Sequence, residues 1–198
     1  MSVLLIAGSP SERSRSAALL ESVAQRLSQR GVYVERLLLR ELSPQALLLA
    51  DTAHRTVVRA LDQVARATTV VICTPIYKAA YSGVLKVFLD LLPQTGFKGK
   101  TVLPLATGGS AHHMLALDYA LRPVLQSLAP RLVLPGIYVT DMHINLLPEG
   151  AHTLSPDIGE RIDDAVDALF AEGLRASKPP GLSLVSPLES VPTVPCSV

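Results

Sequence analysis

The chain has 198 residues, enough for one domain with a substantial core, and 48% of them are apolar, which excludes a wholly disordered chain. Its net charge of +1, with no run of Lys and Arg, gives no electrostatic reason to expect nucleic acid or an anionic membrane as partner. The two cysteines, Cys73 and Cys196, form neither a disulfide framework nor a metal-ligand spacing, so no metal site is expected.

Strand and helix patterns alternate from the start. Val3 to Ala7 is an apolar first strand. From Ser14 to Arg30, Leu20, Val23, Ala24 and Leu27 recur at helical spacing, and Gly31 ends the helix. Val32 to Leu39 reads as a second strand, followed by a loop with Ser43-Pro44 and a helix carrying Val57, Val58, Leu61, Val64 and Ala65. Thr68 to Cys73 is a β-branched run, the third strand, in which Cys73 reads as a buried small hydrophobe. Ser82-Gly83 opens a helix that Pro93 stops; Thr101 to Thr107 is a fourth strand. His112 to about Ala129 is helical, Leu132 to Val139 is a fifth strand, and Asp157 to Leu174 is the last helix. Five prolines (Pro179, Pro180, Pro187, Pro192 and Pro195) set the final stretch apart, so a domain over 1–175 and an extended or disordered tail over 176–198 are expected. Few cysteines, no signal peptide and no apolar run near the ~20 residues of a membrane span imply a cytoplasmic protein.

Alternation of this kind means an α/β fold with a parallel sheet between two helical layers. Five strands in this order suit a flavodoxin-like three-layer sandwich with strand order 2-1-3-4-5, whose ligands sit beyond the carboxyl ends of the strands. The chemistry is then expected in the loops after strands 1, 3 and 4. The first, Gly8-Ser9-Pro10-Ser11-Glu12-Arg13-Ser14-Arg15-Ser16, is rich in hydroxyls and cations at a helix start, where free N–H groups and the dipole favour an anion. Ser9, Ser14 and Ser16 add donors, and Arg15 or Arg13 adds charge-assisted bonds. Neither the dinucleotide pattern Gly-x-Gly-x-x-Gly nor the P-loop Gly-Lys-Ser/Thr is present, which points to a mononucleotide, flavin mononucleotide (FMN) first. In the second loop, Pro75 enforces an extended path along which N–H groups of Ile76, Tyr77 or Lys78 meet the polar edge of a planar ring. Tyr77 either packs on that ring or covers the sheet end. In the third, Thr107, Gly108, Gly109 and Ser110 either bring backbone donors close to the ring or form an ordinary turn in which Ser110 caps the next helix. His112 and His113 read as solvated residues at a loop or helix start. Within the fourth helix Pro123 removes a donor and crowds the carbonyl of Tyr119, so a kink or π-bulge is expected there, with a break into two helices as the alternative.

These motifs resemble the NADPH-dependent FMN reductases over roughly residues 1–175, in the phosphate loop, in Thr74-Pro75-Ile76-Tyr77 with Ser82-Gly83-Val84-Leu85-Lys86, and in Thr107-Gly108-Gly109. Tyr77-Lys78-Ala79-Ala80-Tyr81-Ser82-Gly83, Leu103-Pro104-Leu105-Ala106-Thr107-Gly108-Gly109 and Leu117-Asp118-Tyr119-Ala120-Leu121-Arg122-Pro123 are similar to the reductase component of two-component alkanesulfonate monooxygenase systems. The resemblance implies reduction of FMN by NADPH, delivery of FMNH2 to a partner monooxygenase in sulfur assimilation, and a homo-oligomer (dimer or tetramer) in which Tyr119 governs flavin exchange between subunits. Ser11 departs from the arginine that many relatives carry in the phosphate loop. An electron carrier that keeps its FMN, or a quinone or azo-compound reductase, are the rival readings on the same fold.

Overall fold

Val3–Ala7 forms β1 and is buried along its whole length, as a strand covered on both faces must be. The computed structural model describes residues 2–177; the proline-rich stretch beyond, with Cys196, lies outside them. After β1 come α1 (Arg15–Gln29), β2 (Val34–Leu38), a short α2 (Pro44–Leu48), α3 (Arg55–Arg66), β3 (Thr69–Tyr77), β4 (Ala80–Tyr81), α4 (Gly83–Asp90) and β5 (Thr101–Gly108). A π-helical turn at Leu117–Leu121 runs into α5 (Arg122–Ser127), and then follow β6 (Leu132–Val133), β7 (Ile137–Thr140), β8 (Ile144–Leu146), β9 (His152–Leu154) and α6 (Pro156–Ala171). The sheet order is β2-β1-β3-β5, with β6 and β7 both beside β5, all parallel. Counting β6 and β7 as one interrupted strand, this is the expected flavodoxin-like arrangement.

Period-two alternation splits β1 between two cores. Val3, Leu5 and Ala7 face α1 and α6, where Leu19, Val23, Leu27, Ile162 and Val166 are buried; Leu4 and Ile6 face α3, α4, the π-helical turn and α5, where Val64, Phe88, Leu121 and Leu125 are buried. On α3 the inward positions are Val57, Ala60 and Val64, whereas Val58 and Ala65 of the expected apolar face are exposed. Those two lie about 100° off the buried stripe, and a helix surrounded by water on one side tolerates them.

Three departures from the linear reading matter for the site. β3 does not stop at Cys73 but continues through Thr74, Pro75 and Ile76 to Tyr77, because Ala80–Tyr81 folds back antiparallel on Ile76 and Tyr77. The fifth strand breaks between Val133 and Ile137, where Pro135 has no N–H to give; Pro104 of β5 lies opposite the gap, between the stretches that pair with β6 and β7. Arg122 closes that gap by donating to the carbonyls of Val133 (3.1 Å) and Leu134 (3.0 Å). The β8–β9 hairpin is made of three-residue strands too short to leave a periodic signal.

The fourth helical segment follows the expectation set by Pro123. The Arg122 N–H donates to Leu117, five residues back, which is the π-helical bond. The segment begins as a single turn at Ala111–His113 rather than as a long helix, and Met114 is exposed while Leu117, Leu121, Leu125 and Leu128 are buried. Among the described residues no helix is long and apolar enough to cross a membrane.

Cys73 is wholly buried, and that burial pushes its thiol well above the ordinary range, only partly offset by a backbone hydrogen bond from Thr74. In a Cys196→Ser background, iodoacetamide at mildly alkaline pH should leave the native protein unmodified and label it fully in denaturant. Rapid native labelling, read by mass spectrometry, would contradict the buried placement.

Candidate functional site

The carboxyl ends of β1 and β3 are tied to the start of α4 by one serine. Ser82, at the N-cap of α4, donates its hydroxyl to the carbonyl of Gly8 and accepts from the N–H of Leu85 (3.3 Å). Its own N–H donates to Thr74 Oγ1 (3.0 Å), while the Gly8 N–H donates to the Cys73 carbonyl (2.8 Å). Ser82 and Thr74 are buried at 1% and 0% exposure, so these bonds are made where water cannot replace them. A Cβ on residue 8 would sit 3.1 Å from the Cys73 carbonyl oxygen, tighter than an ordinary contact, so the crossing of the β1 turn over β3 favours glycine.

The serines of the first turn gather at the start of α1. Ser14 is its N-cap, accepting from the Ala17 N–H (3.1 Å), and shares a hydrogen bond with the hydroxyl of Ser16 (3.1 Å). Ser9 is nearly buried and accepts from the Ser11 N–H (3.1 Å). The two arginines of the turn point elsewhere. Arg13 donates to the Leu147 carbonyl (3.0 Å), and Arg15 donates to the Ile144 carbonyl (3.2 Å) and lies 3.8 Å from Asp141. Both therefore strap the β8–β9 hairpin to the turn. Arg40, which carries no motif signal, donates to the Glu12 carbonyl (3.1 Å) and holds the turn from the β2 side.

The second group lies on a tight hairpin. Tyr77 pairs with Ala80 across a two-residue turn in which Lys78 and Ala79 have φ of 51° and 63°. Such a turn favours Asn-Gly; left-handed backbone at Lys and Ala costs roughly 1 kcal/mol or more each, strain that concentrates where a backbone shape is needed for function. Ile76 turns its side chain into the core, so it offers a ligand only backbone, whereas Tyr77 is 48% exposed and presents its ring to solvent at the sheet end. Pro75 pairs in register with Thr107, which brings the second and third groups side by side.

In the third group Gly108 is fixed by sterics. A Cβ there would collide with the hydroxyl of Tyr138. That hydroxyl donates to the Ser110 carbonyl (2.6 Å); burial first, then the carboxylate of Asp141, holds the phenol above its ordinary range and keeps it a donor. Gly109 is exposed, with only Asp141 Oδ2 near the space a Cβ would take, and Ser110 caps the turn at Ala111–His113 through His112 N–H (3.3 Å). His112 is exposed and His113 half-buried on that turn. The π-helical turn packs beside β4 and leaves Tyr119 80% exposed next to this edge. The three groups thus meet along one edge of the sheet, with clustered hydroxyls and a helix start at one end and a flat, glycine-bordered backbone surface at the other. That donor set fits a phosphate joined to a planar heterocycle, as in FMN. Sequence reasoning missed Ser82, Thr74, Tyr138 and Asp141 as supports; only the proximity of distant segments reveals them.

The Gly108–Tyr138 contact is testable. Gly108→Ala should cost about 1–3 kcal/mol, the usual penalty of overpacking, and weaken FMN binding; adding Tyr138→Phe, which deletes the colliding oxygen, should recover part of the loss. Urea melts of the four proteins give the coupling energy. Strict additivity would show that the two residues do not touch.

The NADPH-dependent FMN reductase family profile matches residues 1–144. The chain is 41% identical over 181 residues to the FMN reductase (NADPH) of Pseudomonas putida, covering 90% of this chain and 91% of that one. It is 39% identical over 170 residues to the FMN reductase (NADPH) of Escherichia coli, covering 86% and 88%. Among solved structures, the apo form of the NADH:FMN oxidoreductase EMOB superposes with a TM-score of 0.76 at 36% identity, over 90% of this chain and 91% of that one. A family match over most of the chain, two relatives near 40% identity and a shared fold lead to one assignment: this chain belongs to the NADPH-dependent FMN reductase family.

Proposed function

We propose that the chain takes a hydride from NADPH onto FMN and releases the reduced flavin to a separate monooxygenase, with organosulfonates as that partner's substrates. The observation that carries the reading is the meeting of the three turns at one exposed edge, with the strained Lys78-Ala79 turn and Tyr119 beside it. Ser9, Ser14 and Ser16 receive the FMN phosphate at the start of α1. The backbone of Pro75, Ile76, Tyr77 and Lys78 and that of Thr107, Gly108, Gly109 and Ser110 line the ring. FMN supplies the redox chemistry when bound; the protein supplies position and polarity. The reaction asks for no general acid or nucleophile from the protein, because orienting the nicotinamide against the ring supplies most of the rate.

Tyr119 belongs to the same reading. Together with Met114 and Leu115 it forms an exposed apolar surface beside the site, at 80%, 56% and 55% exposure. A second copy of the chain covering this surface accounts for the solvent-facing tyrosine in a segment held out of α-helical register by Pro123. Cover and release of the flavin edge then follow assembly and dissociation of the copies, which suits an enzyme that gives its product away.

Purified protein mixed with NADPH and an excess of free FMN should oxidise many equivalents of NADPH per chain. A single equivalent would mark a flavin-retaining carrier, and turnover only on added quinone would mark a quinone or azo-compound reductase. Tyr119→Ala should purify yellow with bound FMN and turn over free flavin several-fold more slowly; a colourless variant with unchanged turnover would remove Tyr119 from the exchange step.

A further inference from the structure

A cavity of about 510 Å³ lies beside the flavin edge and shares only the turn's outer wall with it, through Glu12, Arg13 and Ser14. Ser9, Tyr77 and Gly108 do not line it. Its floor is apolar, built from Leu5 and Ala7 of β1, Leu38 of β2, Ala17 of α1 and Leu146 of β8. Its rim carries Arg13, Arg36 and Arg40, with His152 on the hairpin side. Two carboxylates face the same space, Glu12 and Glu21. The volume is in the range of small-molecule sites and larger than a lone phosphate needs. An apolar floor under a cationic rim suits an aromatic group that bears a phosphate.

The three guanidinium groups are not equivalent. Arg13 is committed to the Leu147 carbonyl and Arg40 to the Glu12 carbonyl, so both hold walls of the cavity. Arg36 is paired through Nε (3.0 Å) and Nη2 (2.8 Å) with Glu21, which sets its plane, while among the described residues its Nη1 has no partner. Arg36 is thus an oriented donor at the cavity rim. A planar guanidinium of this kind matches a phosphate monoester better than a lysine does.

We propose that this cavity receives the adenosine 2′-phosphate half of NADPH, with Arg36 reading the 2′-phosphate. The inference rests on the flavin-reductase reading, because it needs a dinucleotide whose nicotinamide reaches the flavin edge. The shared wall at Arg13 and Ser14 is what makes this possible: one extended molecule can lie across the start of α1 with one end over each compartment. NADH lacks the 2′-phosphate and leaves Arg36 with Glu21 alone, so the cavity discriminates between the two coenzymes. Arg36 sits midway along the edge strand β2, away from the flavin ring, so discrimination acts on binding rather than on hydride transfer.

Calorimetry on the full chain without flavin, using 2′,5′-ADP and 5′-AMP as probes, tests this directly. The 2′-phosphorylated probe should bind about tenfold tighter, the difference expected from one charge-assisted hydrogen bond. Arg36→Gln should bring the two probes to near equality, and Arg36→Lys should recover part of the preference. In steady-state assays Arg36→Gln should raise KM for NADPH about tenfold with kcat held. Glu21→Gln, which removes the competing carboxylate, should lower that KM. Equal binding of the two probes by the wild-type chain, or a preference that survives Arg36→Gln, would overturn the assignment. Selective 2′,5′-ADP binding in a protein that fails to turn over free FMN would uphold the cavity's preference and reject the flavin-reductase reading instead.

Discussion

The Ser82 hydroxyl is the interaction on which the site depends. It joins the turn after β1 to the start of α4, while the Ser82 N–H takes the Thr74 hydroxyl at the end of β3. The turn after β1 and the stretch from the end of β3 to the start of α4, 74 residues further on at Ser82, are thereby held within hydrogen-bond distance in a place that excludes water. Buried bonds of this type are modest in net energy when made but costly to leave unmade, so the geometry they fix is not easily traded for another. The turn after β1 and the hairpin that follows β3 inherit their relative position from this junction. The Gly8 N–H, bonded to the Cys73 carbonyl, completes it from the backbone side.

Proline shapes the rest of the active edge by withholding donors. Pro123 removes a bond from the fourth helical segment, and the segment answers with a π-helical turn that leaves Tyr119 outside the packed stripe. Pro135 and Pro104 leave the last strand interrupted beside β5, and the carbonyls freed there are taken by Arg122. Arg122 also holds Asp118 of the π-helical turn at 3.0 Å, so one side chain links the helix irregularity to the strand irregularity. Two local faults become one supported feature next to the functional edge.

Charge in the first turn is arranged outward. The guanidinium groups of Arg13 and Arg15 brace the β8–β9 hairpin, and Arg40 holds the turn's backbone from the β2 side. The turn is therefore stiffened by its cations while its serines are gathered at the helix start. Within the turn, Ser11 gives its N–H to the Ser9 hydroxyl.

The alternation of apolar runs with helical stripes was enough to determine the sheet and its strand order, because period and order are local properties of the chain. The same holds for the Pro123 irregularity, which follows from one missing N–H, and for the three turns, whose composition announces close backbone approach. Sequence did not reveal that β3 runs on to Tyr77, that Gly108 is required by Tyr138, that Arg13 and Arg15 face the hairpin, or that a second cavity opens beside Arg36. Each of these depends on which distant groups become neighbours. A hydrogen bond between residues 8 and 82, or a collision between 108 and 138, leaves no periodic trace along the chain, and only the folded structure decides it.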